Sequence, residues 1–224
     1  PCELIAAPEI AKAFPVRPWA AHKGLFGHVC VLGGSAGFCG APALAALGAV
    51  RAGAGLVTLA APAAAGAAAA AHAPEAMVHA LDAPQGDLSV EALRAWGRDL
   101  NGFDALMAGP GLGRSERVRA LIEHVLAAYG GKLVLDADGL NALAALRGDG
   151  WRPREGQRLA TTPHPGEASR LLGMTARDAA DLAVWAHGAA GDLAAFAGGQ
   201  TGMSASTLAQ WLTPAFQMIE RRTD

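Results

Sequence analysis

Four short motifs carry the side chains and glycines that could do chemistry, and each follows a short apolar run. The motifs are Gly33–Ala41, Gly109–Gly113, Asp136–Asn141 and Thr162–Glu167. The apolar runs before them are His28–Leu32, Ala105–Ala108, Lys132–Leu135 and the weaker Arg158–Thr161. Ligands of a parallel α/β sheet bind just outside the carboxyl ends of its strands. The sequence therefore predicts that these four loops form one composite pocket.

The first two motifs are rich in glycine, which lets a backbone approach a ligand closely. Gly33–Ala41 lies between a predicted strand and a helix N-terminus, where main-chain amides favour anions. It matches neither the dinucleotide fingerprint nor the Walker A loop, so a purely geometric turn stays open as an alternative. In the second motif, Pro110 fixes φ between Gly109 and Gly111, with Gly113 close behind. We predict that this rigid loop contacts a ligand.

Two carboxylates at the end of the third strand could address one site. Asp136 and Asp138 would point the same way on an extended backbone, as a pair that suits metal coordination or hydroxyl binding. The alternative is that one of them caps a helix beginning near Leu140. We expect one to cap and the other to face a ligand. Asn141 is expected nearby, as a capping or hydroxyl-binding residue.

The fourth motif holds a histidine between two prolines. Pro163 and Pro165 restrict the backbone on both sides of His164, so its imidazole has little freedom of direction, and we predict that it contacts a ligand. Glu167 is predicted to support the first turn of a helix over residues 167–172 through the helix dipole. The pattern around His187 is typical of a histidine that packs between helices.

The elements that must position these motifs alternate along the chain. Further strands are predicted at Leu56–Leu59 and Glu75–Leu81, and helices at Pro42–Ala52, 60–72, Ser89–Leu100 and Ser115–Ala128. Strands that alternate with helices predict an α/β fold with a mostly parallel sheet and right-handed crossovers. A short helix over Ala7–Phe14 and helices over Arg177–Ile219 complete the prediction.

Bulk composition excludes several classes of partner. The chain has 224 residues and a formal net charge of −2, so we expect one domain and neither nucleic acid nor a membrane as a partner. No secretory signal is recognised, and the alanine-rich stretch Leu56–His72 is too weakly apolar for a membrane span. Its three cysteines have no paired or metal-ligand spacing, which indicates a reducing cytoplasm. No residue is assigned as a metal ligand. Cys30 is predicted to be buried, whereas Cys39 could face a ligand.

The motifs together resemble the ADP- or ATP-dependent NAD(P)H-hydrate dehydratases, a ribokinase-like family. The resemblance covers most of the chain: His22–His28, Gly33–Ser35, Gly40–Ala41, Arg51–Val57, Pro74–Met77, Gly109–Gly113, Asp136–Asn141, Thr162–Glu167, His187–Asp192 and Gly202–Leu208. It implies a ribokinase-like fold, a mostly parallel central sheet flanked by helices on both faces, in a single domain over residues 1–224.

The resemblance also implies a reaction and its site. In such enzymes ADP or ATP, with Mg²⁺, phosphorylates the hydroxyl of hydrated NADH or NADPH, and elimination of phosphate restores the dihydropyridine. By resemblance, Ala41, the loop with Gly109, Gly111 and Gly113, and His164 would contact the hydrated dinucleotide. Asp138 and Asn141 would lie near the reacting region. A fused or separate epimerase domain is an implied partner. The small-residue helices after Arg177 favour close packing, including packing within a homo-oligomer.

One part of the family pattern is missing. The family carries a Lys-Gly motif and then a glycine-rich loop ending in Gly-Asp, which binds the nucleotide and supplies the presumed base. This chain has no lysine after Lys132, and its only Gly-Asp after Glu167 is Gly191-Asp192, without a glycine loop before it. Near Ala176 and Arg177 about 60 residues are absent by this comparison, enough for two strand-plus-helix units. The catalytic residue therefore stays unknown.

Three explanations of the missing stretch remain open. The first is that the molecule contains residues that the printed sequence omits, and the second is an internal deletion in the gene. The third is that the residues after Ala176 build a nucleotide site differently. A deletion would leave a non-catalytic dinucleotide-binding homologue, which is the alternative function. A small-molecule kinase of the same fold is a further alternative, against which the Thr162–Glu167 motif argues.

Overall fold

The computed structural model describes residues 18–148, 157–173, 175 and 177. The elements below all lie in one compact unit, Ala20–Gly173. The expected helix at Ala7–Phe14, His187 and the helices expected beyond Arg177 lie outside the described residues. The single domain over residues 1–224 therefore stays a prediction.

Six strands and six α-helices alternate along the described chain. The strands are β1 (His28–Leu32), β2 (Leu56–Pro62), β3 (Met77–Leu81), β4 (Ala105–Ala108), β5 (Lys132–Leu135) and β6 (Arg158–Thr161). The helices are α1 (Gly40–Arg51), α2 (Ala63–His72), α3 (Val90–Trp96), α4 (Glu116–Ala128), α5 (Asp138–Gly148) and α6 (Pro165–Leu172). Short 3₁₀ turns lie at Lys23–Phe26 and Leu100–Gly102.

All strand pairs in this sheet are parallel, in the order β3-β2-β1-β4-β5-β6. The predicted α/β fold is confirmed, and β1, β4, β5 and β6 have the predicted bounds. The strand order reverses between β1 and β4, because the chain runs outward from β1 to β3 and then returns. Such a topological switch point is where open α/β sheets form their ligand crevices.

Most predicted element boundaries agree with the structure to within two residues, and the two larger differences each have a local reason. The alanine-rich run was expected to be helical from residue 60, but β2 continues to Pro62 because Ala60–Pro62 pair with His79–Leu81 of β3. Sheet pairing outweighs the helix propensity of alanine there. Helix α3 was expected to reach Leu100 and stops at Trp96, because Gly97 adopts a left-handed φ of 68°.

The core lies on both faces of the sheet. One face packs against α3, α4 and α5 through large side chains such as Leu106, Ile122 and Leu140. The other packs against α1 and α2, whose buried positions are mostly alanines. A Cβ at Gly66 of α2 would lie 2.7 Å from Val78 Cγ1, so the small residues let this helix lie close to the sheet. Helices therefore flank both faces, as predicted.

Candidate functional site

The loops after β1 and β4 interlock at the switch point. The Gly34 amide donates to the Pro110 carbonyl at 2.9 Å, and the Gly109 amide donates to the Leu32 carbonyl at 3.2 Å. A Cβ at Gly111 would lie 2.9 Å from Phe38 Cβ and 3.6 Å from the ring of Pro42. The first turn of α1, with exposed Gly40 and Ala41, therefore lies beside the second glycine loop.

The loops after β4 and β5 are packed as closely. A Cβ on Gly109, whose φ is 133°, would overlap the Asp136 carbonyl, and one on Gly139 would lie 2.6 Å from the Ala108 carbonyl. Glycine at these positions is required by contact between loops. Gly113 differs, because its φ is 87° but a Cβ there would meet nothing within 4 Å. It is the member of the second motif with open space beside it.

The predicted arrangement of the two aspartates is wrong. Ala137 adopts a left-handed φ of 49°, and α5 begins at Asp138, so the segment is not extended and the helix starts before Leu140. The two side chains bind different partners. Asp136 Oδ1 accepts from Thr162 Oγ1 at 2.8 Å and links the ends of β5 and β6. Asp138 Oδ2 accepts from the Gly113 amide at 2.9 Å.

Asp138 is also the first member of a polar chain across two helices. Its Oδ1 accepts from Arg114 Nε and from Asn141 Nδ2, both at 3.2 Å. Asn141 Oδ1 in turn accepts from Arg170 Nε at 2.7 Å. Asn141 thus connects α5 to α6 through its side-chain amide. These hydrogen bonds, from Asp138 through Asn141, fix the direction of the Arg170 guanidinium.

His164 is the N-cap residue of α6. Its Nδ1 accepts from the Gly166 amide at 3.0 Å, and its Nε2 lies 3.2 Å from Glu167 Oε1. An accepting Nδ1 assigns the proton of neutral His164 to Nε2, which then donates to Glu167. Glu167 is buried, and its Oε2 accepts from the His164 amide at 3.0 Å. Glu167 therefore supports the first turn as predicted, by a hydrogen bond as well as by its charge. The His164 side chain remains 63% exposed.

Metal coordination by the aspartate pair finds no support in the described part of the chain. No group of three or more His, Cys, Asp or Glu side chains is arranged there to hold a metal ion, and both carboxylates accept hydrogen bonds from protein groups. Cys30 is buried, which raises the pKa of its thiol to about 12. Cys39 is half-buried at the N-cap of α1, where its Sγ lies 3.8 Å from the Ser35 carbonyl. No helix among the described residues has the length and apolar character to cross a bilayer.

A cleft of about 240 Å³ opens beside Gly113. Asp138 and Asn141 line it, together with Arg114, Arg119 and Arg170. The sequence analysis did not single out these arginines. Two signals were available: Arg114 directly follows the second glycine motif, and Arg170 stands three residues after Glu167 on the helix that His164 caps.

Comparisons with known proteins agree on one group of relatives. A family model described as NAD(P)H-hydrate dehydratase matches residues 29–182. The bifunctional NAD(P)H-hydrate repair enzyme Nnr of Moorella thermoacetica is 42% identical over 178 residues, which are 77% of this chain and 32% of that enzyme. The enzyme of the same name from Thermanaerovibrio acidaminovorans is 42% identical over 162 residues, 70% of this chain and 30% of that enzyme. The chain thus spans about a third of the length of these relatives.

Solved structures share this fold. The ADP/ATP-dependent NAD(P)H-hydrate dehydratase of Bacillus subtilis, co-crystallised with ATP and Mg²⁺, has a TM-score of 0.58 and 28% identity. The match covers 81% of this chain and 59% of that one. A hypothetical protein from Streptococcus mutans has a TM-score of 0.66 and 29% identity, over 83% of this chain and 64% of that one.

Proposed function

The chain belongs to the NAD(P)H-hydrate dehydratase family, and from this premise we propose that it repairs hydrated NADH or NADPH by nucleotide-dependent dehydration. One observation carries the proposal beyond family membership. The loops after β1, β4, β5 and β6 all emerge at the carboxyl edge of one parallel sheet, and hydrogen bonds join each loop to the next strand end or loop. A dinucleotide bound in this crevice would contact all four motifs.

The proposed reaction has two steps. The hydroxyl oxygen of the hydrated ring attacks the terminal phosphorus of ADP or ATP, so that an O–P bond forms while the bond to the nucleotide breaks. The ring C–O bond then breaks and phosphate leaves with the electron pair. A proton is lost from the adjacent carbon, and the double bond of the dihydropyridine is restored. No redox partner is needed, since nothing is oxidised or reduced.

We assign the substrate contacts to groups of the four motifs at this edge. Ala41 stands in the exposed first turn of α1, where main-chain amides and the helix dipole favour an anion. Gly109, Gly111 and Gly113 would present the second loop to the dinucleotide, with Gly113 held by Asp138. His164 would contribute its exposed imidazole ring from the cap of α6. Asp138 and Asn141 would lie near the hydrated ring as positioning residues.

ADP or ATP would bring Mg²⁺ on its phosphates, and Mg²⁺ neutralises charge that develops during phosphoryl transfer. The described residues do not fit a nucleotide with its Mg²⁺, because they hold no cluster of metal ligands. Their two candidate carboxylates, Asp136 and Asp138, accept hydrogen bonds from Thr162 and Gly113. We therefore derive no step through the metal.

Recovery of NADPH from its hydrate tests the proposal. The purified chain is incubated with hydrated NADPH, Mg²⁺ and either ATP or ADP, and the dihydronicotinamide absorbance and phosphate release are followed together. We expect one phosphate released per NADPH restored, and no recovery without nucleotide. Nucleotide-independent recovery, or phosphate release without NADPH, would contradict the proposal. A phosphorylated product that persists would instead indicate a small-molecule kinase.

A second candidate is a non-catalytic homologue that binds the dinucleotide without turning it over. The observation that favours it is the absence of any lysine after Lys132, since the family pattern requires a later Lys-Gly motif. The intact mass of the purified chain separates the two candidates. A mass near 22.6 kDa together with binding but no turnover would establish the second candidate.

The relatives are named bifunctional, and this chain matches about a third of each. We propose that the matched region supplies the dehydratase part and that an epimerase domain or partner protein supplies the other. Cytoplasmic location and a homo-oligomer remain predictions. Light scattering on the purified chain would measure the number of subunits.

A further inference from the structure

A positively charged cleft lies beside the loop that holds Gly113, between the first turns of α4 and α5 and the last turn of α6. Its volume is about 240 Å³, below the range of roughly 300–1,000 Å³ that is typical of sites for whole small molecules. The cleft therefore suits one part of a ligand whose remainder lies along the glycine loops.

The charges that line the cleft do not cancel. Its walls include three arginines and two carboxylates, which are Arg114, Arg119, Arg170, Glu116 and Asp138. Arg114 pairs with Asp138 at 3.2 Å, and Arg119 lies 3.8 Å from Glu116. Arg170 is hydrogen-bonded to a neutral amide, and within the described part of the chain no carboxylate pairs with it. The cleft thus keeps one net positive charge.

The Arg170 guanidinium is held in one orientation before any ligand arrives. Its Nε donates to Asn141 Oδ1 at 2.7 Å, and Asn141 is itself bonded to Asp138. A guanidinium has five N–H donors in a rigid plane, so fixing Nε also fixes the direction of the terminal amino groups. Such a fork matches the oxygens of a phosphate group. The amino end of α4, a 13-residue helix, adds positive potential at the same cleft.

From this geometry we propose that the cleft is a phosphate subsite for the dinucleotide, with Arg170 as its main ligand and Arg114 as a second. The inference rests on the proposed function, because it takes the bound molecule to be a pyridine dinucleotide. The occupant is either the diphosphate that joins the two nucleosides or the additional 2′-phosphate of NADPH. Both offer the same phosphoryl oxygens to the arginines.

Binding measurements test the subsite without requiring turnover. Calorimetry on the full chain compares NADPH, NADH, inorganic pyrophosphate and ATP with Mg²⁺ for the unaltered protein and for Arg170→Gln. Arg170→Lys retains the charge without the fork. Arg158→Gln is the matched control, because exposed Arg158 stands at the opposite, amino end of β6. Thermal unfolding of each variant shows whether the fold is intact.

We expect Arg170→Gln to weaken NADPH binding about tenfold or more, as loss of a charged hydrogen bond does. Arg170→Lys should recover part of the lost NADPH affinity, and Arg158→Gln should change that affinity less than twofold. An equal loss for NADH indicates the diphosphate, and a loss confined to NADPH indicates the 2′-phosphate; either supports the subsite. An unchanged affinity, or a loss confined to ATP, overturns it. A lowered melting temperature without rescue by lysine also overturns it, because Arg170 would then be only structural.

The pyrophosphate arm separates this inference from the proposed function. If pyrophosphate binds the unaltered chain and not Arg170→Gln, while NADPH hydrate is not dehydrated, the subsite stands and the function fails. If the hydrate is dehydrated but Arg170→Gln binds every probe normally, the function stands and the subsite is wrong. If neither pyrophosphate nor a pyridine dinucleotide binds the unaltered chain, the subsite is wrong.

Discussion

At the residue scale, burial decides which polar groups of this chain are available for chemistry. Cys30 precedes the first glycine motif and Cys39 lies within it, and the two thiols differ mainly in their surroundings. Cys30 lies fully inside the core, whereas Cys39 is half-buried at the start of α1. A thiolate, not a thiol, is the nucleophile, so an elevated pKa makes a cysteine inert.

We expect iodoacetamide at neutral pH to alkylate Cys39 in the native protein and to leave Cys30 unmodified, because burial raises the pKa of Cys30 to about 12. Peptide mass mapping would measure the modification of each thiol. The same experiment in denaturant is the control and should modify both. Rapid alkylation of Cys30 in the native protein would mean that β1 opens more readily than its position in the core implies.

At the element scale, the interlocked loops explain why three strand ends act as one structure. Gly109, Gly113 and Gly37 all lie in glycine loops, but only Gly109 has a backbone carbonyl where a Cβ would stand. The cost of adding one methyl group should therefore differ strongly among them.

We expect Gly109→Ala to lower the free energy of unfolding by about 3 kcal/mol or more, since overlap with a backbone and a strained φ cannot be relieved by a rotamer change. Gly113→Ala should cost about 1–2 kcal/mol, because its φ of 87° is unfavourable but its surroundings are open. Gly37→Ala, the matched control, should stay within about 0.5 kcal/mol. Urea unfolding measures all three. A Gly109→Ala protein as stable as Gly37→Ala would show that the loops are not in contact.

The sequence predicted the strands and helices better than it predicted where they end and how they contact one another. Four strand ranges were correct. Short apolar runs before glycine or aspartate motifs identify the buried parallel strands β1, β4 and β5, whereas β6 is largely exposed and was recognised by the Thr162–Glu167 motif that follows it. The end of β2 was missed, because pairing with β3 outweighs alanine's helix propensity and no local pattern shows it.

In the candidate site, too, local motifs were easier to predict than the contacts between them. The motifs were recognised, whereas the bonds from Asp138 to Gly113 and from Asn141 to Arg170 join residues 25 and 29 positions apart. Such contacts depend on how the strands are placed side by side.

At the scale of the whole molecule, one histidine links the sheet's stability to pH. His28 stands at the amino end of β1, where its Nε2 lies 2.8 Å from the buried Thr58 hydroxyl and its ring meets Phe103 edge-on. Burial, and next the charge of Arg98, lowers the pKa of His28 below its ordinary 6.5, while Asp104 acts in the opposite direction. The folded protein therefore favours the neutral imidazole.

We expect the free energy of unfolding to fall as the pH drops below 6.5, because the unfolded chain then takes up a proton that folded His28 resists. The contribution of neutral His28 to the free energy of unfolding is fully present above pH 6.5, and it declines as the pH falls toward the lower pKa that His28 has in the folded state. His28→Gln should show a shallower decline, measured by urea unfolding between pH 8 and about pH 5. His72→Gln at the exposed end of α2 is the matched substitution. Parallel pH profiles for the unaltered protein and His28→Gln would contradict the assignment.

The interlocked loops also determine how the protein could be redesigned. Gly33, Gly109, Gly111 and Gly139 touch the backbone or Cβ of a neighbouring loop so closely that one cannot be enlarged without moving the next. Substrate preference is therefore hard to alter by single changes at these glycines. Ala41 is exposed in the first turn of α1 and is the position where a library of substitutions could reshape the crevice while the sheet beneath it stays intact. Gly113 also borders open space, but any side chain there would strain its φ of 87°.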